Sequence, residues 1–213
     1  MKKVTIFQDI KLIKEPHHIH LETALLRIQQ GHSKELIREV RKGNKEKKIK
    51  LPVICFSGEF SSRTDEGLFE HSGFIILDFD HVDVKETKTA LATDDFIYSC
   101  WVSPSGDGIK ALARLTNPER HRDHFRALIT YFNRQYGLEV DESGINESRA
   151  CFESWDPDII IKDEYKKFGA FTTEHAEAQT PVNASYSYTD YMKLNLAARM
   201  IRNAKDGEKW VTL

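Results

Sequence analysis

The run Phe74–Asp80 reads F-I-I-L-D-F-D: four apolar residues lead straight into two aspartates separated by one phenylalanine. An apolar stretch of this length reads as a buried strand. Side chains alternate along a strand, so Asp78 and Asp80 share one face, with Cα atoms roughly 7 Å apart. Two carboxylates held in this way suit a pair of hard divalent cations, which favour oxygen ligands. The plainer alternative is that D-F-D ends the strand and begins a turn, where aspartate is common.

A second motif lies at Val102–Leu115, V-S-P-S-G-D-G-I-K-A-L-A-R-L. Gly106 and Gly108 flank an aspartate in a tight connection between two strand-like segments. Glycine permits backbone conformations that present successive N–H groups, and such concavities bind phosphate. Ser103 and Ser105 add hydroxyls. Lys110 and Arg114 share a face of the outgoing strand, where both could meet a triphosphate. The loop is not a Walker A sequence, and S-G-D-G also suits an ordinary hairpin. A third acidic position follows the clearest helix: Val140-Asp141 reads as the start of a strand, so that Asp141 could complete a three-carboxylate site. Asp156, in D-P-D, competes for that role or forms a turn, and Arg149 could steady a carboxylate or phosphate bidentately.

The net charge of −2 conceals a local excess. Between Gly31 and Lys50 eight basic residues face three acidic ones, a patch that could contact phosphates without reading sequence. A solvated helix face of paired Lys and Glu is the equal alternative. His18-Ile19-His20 is a His-hydrophobic-His sequence of the kind used by rolling-circle nucleases, which pair it with a tyrosine such as Tyr186, Tyr188 or Tyr191. It follows Pro16 and precedes a helical pattern, so the approach to a helix is the favoured reading.

The remaining pattern alternates strands and helices, giving an α/β (α+β) fold. Strands are expected at Val4–Phe7, Leu51–Phe56, Phe74–Asp80, Phe96–Val102, Ile109–Leu115 and Ile159–Ile161, with short extended pieces at Val140–Asp141 and Ala150–Phe152. Leu21, Ala24, Leu25 and Ile28 follow helical spacing up to Gly31, a natural C-terminal stop, and Ser33 could cap a second helix. A short helix is expected at Lys85–Leu91 and a long one at Asn117–Tyr136, with Ser57–Glu66 as a polar loop. One domain over residues 1–168 is followed by a Thr, Ala, Ser and Pro-rich linker over 169–190. Helical spacing resumes over 191–213 and stops in G-E-K-W-V-T-L, as the start of a truncated helical domain. No apolar run approaches the roughly 20 residues that span a membrane, and M-K-K-V-T-I-F-Q-D has no signal-peptide core. Cys55, Cys100 and Cys151 form no C-x-x-C pair and read as buried thiols. A cytoplasmic protein is expected.

Paired aspartates, then S-G-x-G leading to a basic residue, then a hydrophobic-Asp step is an order of motifs that resembles the archaeo-eukaryotic primase superfamily. More closely, G-F-I-I-L-D-F-D, V-S-P-S-G-D-G-I-K and S-R-A-C-F-E-S-W-D-P-D resemble the primase-polymerase family labelled "VirE N-terminal domain", over about residues 51–161. The resemblance implies an RRM-like mixed or antiparallel sheet core flanked by an N-terminal α/β unit. It implies a DNA primase or polymerase active in replication of a bacterial mobile element or phage, with a helicase domain or subunit nearby. Asp78 and Asp80 match the first motif's metal-binding acids and Asp141 the third motif. Lys110 stands where many members place a histidine, and can hold a phosphate as a point charge. The implied chemistry is nucleotidyl transfer on single-stranded DNA template. Two Mg²⁺ or Mn²⁺ ions would sit at the three aspartates, and Ser105, the Gly106–Gly108 backbone and Lys110 would hold the nucleoside triphosphate. A non-catalytic single-strand-binding module on the same sheet is the alternative.

Overall fold

The structure, a computed structural model, describes residues 2–169. The expected helical segment over 191–213, nearly all of the linker, and Tyr186, Tyr188 and Tyr191 lie outside the described residues.

In chain order the elements are β1 (Lys3–Phe7), β2 (His17–His20), α1 (Leu21–Gln30), α2 (Lys34–Arg41), a 3-10 turn at Lys45–Lys50 and β3 (Val53–Cys55). Next come β4 (Gly58–Phe60), β5 (Leu68–His71), β6 (Phe74–Phe79), α3 (Val84–Thr93), β7 (Ile97–Val102), β8 (Ile109–Arg114) and α4 (His121–Tyr136). The short strands β9 (Cys151–Phe152) and β10 (Ile160–Ile161) complete the domain. A central sheet of order β10-β7-β8-β6 is antiparallel throughout. Its strand–helix–strand–strand–helix–strand succession is that of a split βαβ fold. A second antiparallel sheet, β2-β1-β3-β9, forms the N-terminal unit, and β4 and β5 make a separate hairpin.

The apolar run of β6 follows from burial on both faces. Ile75, Leu77 and Phe79 pack with Leu91 of α3 and with Phe125, Leu128 and Phe132 of α4. Phe74 and Ile76 point the other way, into a cluster with Val4, Leu25, Ile54, Trp101 and Leu112 that joins the central sheet to the N-terminal unit. A strand covered on both sides reads as continuous hydrophobicity, not alternation. Asp78 shares the face of Phe74 and Ile76, and so opens towards the N-terminal unit.

Several local readings are corrected. His17–His20 does lead into a helix, since His20 is the N-cap of α1, but it does so as a short strand at a sheet edge, where His18 Nε2 meets the Phe60 carbonyl at 3.0 Å. Ser33 does not cap α2; its hydroxyl donates to the buried Glu153 instead. Val140–Asp141 starts no strand. Asp141 caps a 3-10 turn at Glu142–Ile145, and only its N–H reaches the edge of β6, donating to the Asp78 carbonyl at 2.9 Å. The polar loop conceals the β4–β5 hairpin. Gly31 does end α1 in the left-handed conformation, and a Cβ there would lie 2.8 Å from the Trp155 ring.

Candidate functional site

Asp78 and Lys110 face each other in register across β6 and β8. Directly opposed residues on one face of an antiparallel pair lie about 5 Å apart at Cβ, so the lysine reaches the carboxylate without strain. Lys110 Nζ donates to Asp78 Oδ2, and the two side chains are only 9% and 12% exposed. The second oxygen, Asp78 Oδ1, is buried and has no hydrogen-bond partner. An orphaned carboxylate oxygen is costly unless something else approaches it.

Asp80, two residues on, keeps the orientation expected of it. Its carboxyl is held above the usual range, first by burial and then by the neighbouring Asp78 charge. Asp141 arrives from the loop after α4. Burial pushes its carboxyl up, but hydrogen bonds from the Ser143 hydroxyl (2.7 Å) and N–H (3.0 Å), together with the Arg149 charge, outweigh that and hold it below the usual range. Arg149 Nη2 lies 2.7 Å from Asp141 Oδ2 and 3.7 Å from Asp78 Oδ2, and Nη1 donates to Ser143 Oγ at 2.8 Å. Each of the three aspartates offers a carboxylate oxygen within 4.8 Å of the other two. Hard oxygen donors that converge so closely, on acids of which Asp78 also keeps an orphaned oxygen, fit a divalent cation of the Mg²⁺ or Mn²⁺ class.

A cavity of about 430 Å³ opens beside the acids. Asp78 and Asp80 line it together with Ser103, Ser105, Lys110 and Arg149, as the sequence predicts, and so do Lys48, Arg63 and Phe152. The volume falls within the range of small-ligand sites. Arg63 escapes sequence reasoning because it sits in S-S-R-T-D, a polar loop with no motif; Lys48 is visible only as one member of the basic patch.

The glycine loop does different work from that expected. A Cβ at Gly108 would lie 2.6 Å from the Phe79 carbonyl, so glycine lets the loop pack directly against the end of β6. The Gly106 N–H donates to the Ser103 carbonyl at 3.1 Å, and the Ser103 N–H to the Gly108 carbonyl at 2.8 Å. Neither glycine lines the cavity. The loop contributes Ser103 and Ser105 to the lining, while its glycines serve the turn and its packing against β6.

Arg114 is not brought to the site. It shares the face of Lys110 but lies four residues along β8, about 13 Å away at the rise of a strand. There it pairs in register with Phe74, lies over that ring at 5.9 Å, and donates to the Tyr165 hydroxyl at 3.4 Å. Asp156 is no ligand either: it is buried, accepting from Lys88 Nζ at 2.6 Å and the Val102 N–H at 2.9 Å. The basic patch divides. Arg38 pairs with Glu35 and Lys42 with Glu39, while Lys34 and Arg38 lie over the Trp155 ring at 4.5 and 5.4 Å. Lys48 alone of the patch lines the cavity, 5.5 Å from the centre of the Phe152 ring. The cysteines are buried thiols, as expected; burial pushes Cys55 and Cys100 up to about 12 and Cys151 to about 11.

Residues 46–160, more than half of the chain, match the family described as "BT4734-like, N-terminal domain". No curated protein and no solved structure matches the chain. The matched segment holds all three aspartates and Lys48, Arg63, Lys110 and Arg149. It overturns the resemblance to the primase superfamily and to the family labelled "VirE N-terminal domain", since a different family accounts for the same residues. The shared motifs are short: an acid pair ending a buried strand, and a glycine turn whose local role here is close packing.

Proposed function

The chain belongs to the family of BT4734-like N-terminal domains, and we propose that it is a divalent-metal-dependent nucleotidyltransferase that builds nucleic acid from nucleoside triphosphates on a single-stranded template, in the manner of a primase or polymerase. The observation that carries this reading is the convergence of Asp78, Asp80 and Asp141, with carboxylate oxygens within 4.8 Å of one another, two of these acids, Asp78 and Asp80, lining a cavity rich in cations. Bound Mg²⁺ or Mn²⁺ would supply electrostatic stabilisation of the attacking and leaving oxygens of an in-line displacement. Asp78 Oδ1, Asp80 and Asp141 are the groups that would hold it.

The protein's own residues prepare that site. Lys110 fixes Asp78 from the opposite strand, and Arg149 fixes Asp141 through a fork that also engages Ser143. Both carboxylates are thereby held in place before any ligand arrives, which lowers the ordering cost of binding. Lys45, Lys47 and Lys50 of the turn beside the cavity, which have no ion pair among the described residues, suit a template backbone, and contacts of that kind are salt-sensitive and sequence-blind. A helicase domain or subunit that exposes single strands would be a natural partner, and cytoplasmic DNA the natural setting. Among the described residues no helix is long and apolar enough to cross a membrane.

The test is incorporation of labelled nucleotides on single-stranded DNA with Mn²⁺. The wild-type protein should incorporate, and Asp78→Ala with Asp80→Ala should abolish it; incorporation by the double variant at the wild-type rate refutes the assignment. One observation favours a second reading, a non-catalytic nucleic-acid-binding module: Lys110 and Arg149 already neutralise two of the three acids. That reading requires salt-sensitive binding of single strands with no metal-dependent binding of nucleotide, which calorimetry separates from the first.

A further inference from the structure

The cations around the cavity fall into two groups. Lys110 is bound to Asp78 and Arg149 to Asp141, so their charges are already spent on the acids. Lys48 and Arg63 line the same cavity and form no ion pair with any described residue. Arg63 is nonetheless fixed: its Nη2 donates to the Ile10 carbonyl at 2.6 Å, and its buried Nε has no partner. The acid nearest in sequence, Asp65, is occupied by Ser148 at 2.6 Å and Arg122 at 2.8 Å. Four cations therefore line a cavity that Asp78 and Asp80 also line, and two of the four, Lys48 and Arg63, have no ion pair among the described residues. Ser103, Ser148 and Asn146 add neutral hydrogen-bonding groups to the lining.

Resting on the nucleotidyltransferase reading, we infer that Arg63 and Lys48 form the subsite for the polyphosphate chain of the nucleotide, and that this subsite binds polyphosphate without a divalent ion. A planar guanidinium anchored by one nitrogen keeps its other donors for phosphate oxygens. Lys48 contributes a point charge on a flexible stem beside it. The arrangement separates two tasks: the three aspartates belong to the metal, and the triphosphate is held by Arg63, which no sequence motif marks, and by Lys48 of the basic patch. Phe152, which lies under Lys48, gives the same cavity an aromatic face for the base.

Calorimetric titration of the full chain with adenosine triphosphate and with inorganic tripolyphosphate, both in excess EDTA, tests this. The wild-type protein should bind both, more weakly as salt rises. Arg63→Gln and Lys48→Gln should each weaken binding about tenfold, the lower end of what a charge-assisted hydrogen bond contributes. Asp78→Asn with Asp80→Asn should bind tripolyphosphate at least as tightly as wild type. Lys48→Gln guards against a folding artefact, since its side chain makes no hydrogen bond to the described fold. Binding that vanishes in EDTA and returns only with Mg²⁺ overturns the inference and leaves the nucleotidyltransferase reading standing. Unchanged affinity in both Arg63→Gln and Lys48→Gln overturns it too. Loss of Mn²⁺ binding, titrated without nucleotide, would instead strike the metal assignment of the three aspartates.

Discussion

Replacing Lys110 by methionine isolates the charge from the packing, because methionine retains most of the buried stem and fills irregular space well. What is lost is the ammonium that faces Asp78, in a pair whose side chains are only 9% and 12% exposed. Removing one partner of a buried ion pair costs about 3–5 kcal/mol, mostly through the charge left behind. Arg149 Nη2, 3.7 Å from the same Asp78 oxygen, takes up part of the compensation, so the lower end applies, about 3 kcal/mol. Urea unfolding in EDTA should therefore show a lower midpoint with an unchanged slope. Mg²⁺ should then reverse the loss: at a hundredfold excess over its dissociation constant, a ligand of the native state stabilises by about 2.7 kcal/mol. The gain should exceed that of the wild-type protein, where the ammonium competes for Asp78. Two results refute the reasoning. A loss under about 1 kcal/mol means that the lysine does not balance Asp78. A full loss that Mg²⁺ leaves untouched means that the acids do not hold a divalent ion.

Glu153 is fully buried and joins Arg27 Nε at 2.6 Å and the Ser33 hydroxyl, tying α1 and α2 to the β9 segment. Glu153→Ala should cost about 3 kcal/mol in urea unfolding, and a cost below about 1 kcal/mol would show that the linkage is unimportant. His71 and His121 meet at 3.1 Å, and burial depresses both, to about 4 and about 3. Between the unfolded value near 6.5 and those folded values, the unfolded chain binds more protons than the native one. Stability is thus complete above about pH 6.5 and falls as pH drops towards 4, by at most about 2.7 kcal/mol per pH unit for two groups. Replacing both histidines should flatten that slope, and an unchanged slope would place its origin elsewhere.

The strand and the acids were legible because burial on both faces leaves an unmistakable mark: F-I-I-L has no polar gap, and Asp78 and Asp80 follow at a spacing that only a strand keeps on one face. The partnership of Lys110 with Asp78 was not legible, because it depends on the register between β6 and β8, which local sequence does not encode. For the same reason Lys110 and Arg114 looked equivalent, although antiparallel pairing sets one beside Asp78 and the other beside Phe74. Asp141 was found through its hydrophobic-Asp step, yet for the wrong structural reason, since it caps a 3-10 turn and forms no strand. Gly106 and Gly108 were recognised as a tight turn, but whether a glycine exposes backbone to a ligand or admits a neighbouring strand is a tertiary matter. Arg63 had no local signal at all; its place depends on how the β4–β5 hairpin and the loop at Ile10 come together.

The claim on which the rest depends is that Asp78, Asp80 and Asp141 hold a divalent cation, and anomalous diffraction from a crystal soaked with Mn²⁺ and a non-hydrolysable nucleoside triphosphate tests it most directly. An anomalous peak among the three carboxylates, within coordinating distance of Asp78 Oδ1, is the result expected. A crystal saturated with Mn²⁺ whose peaks all lie elsewhere, with Lys110 and Arg149 still closed on the acids, would contradict it.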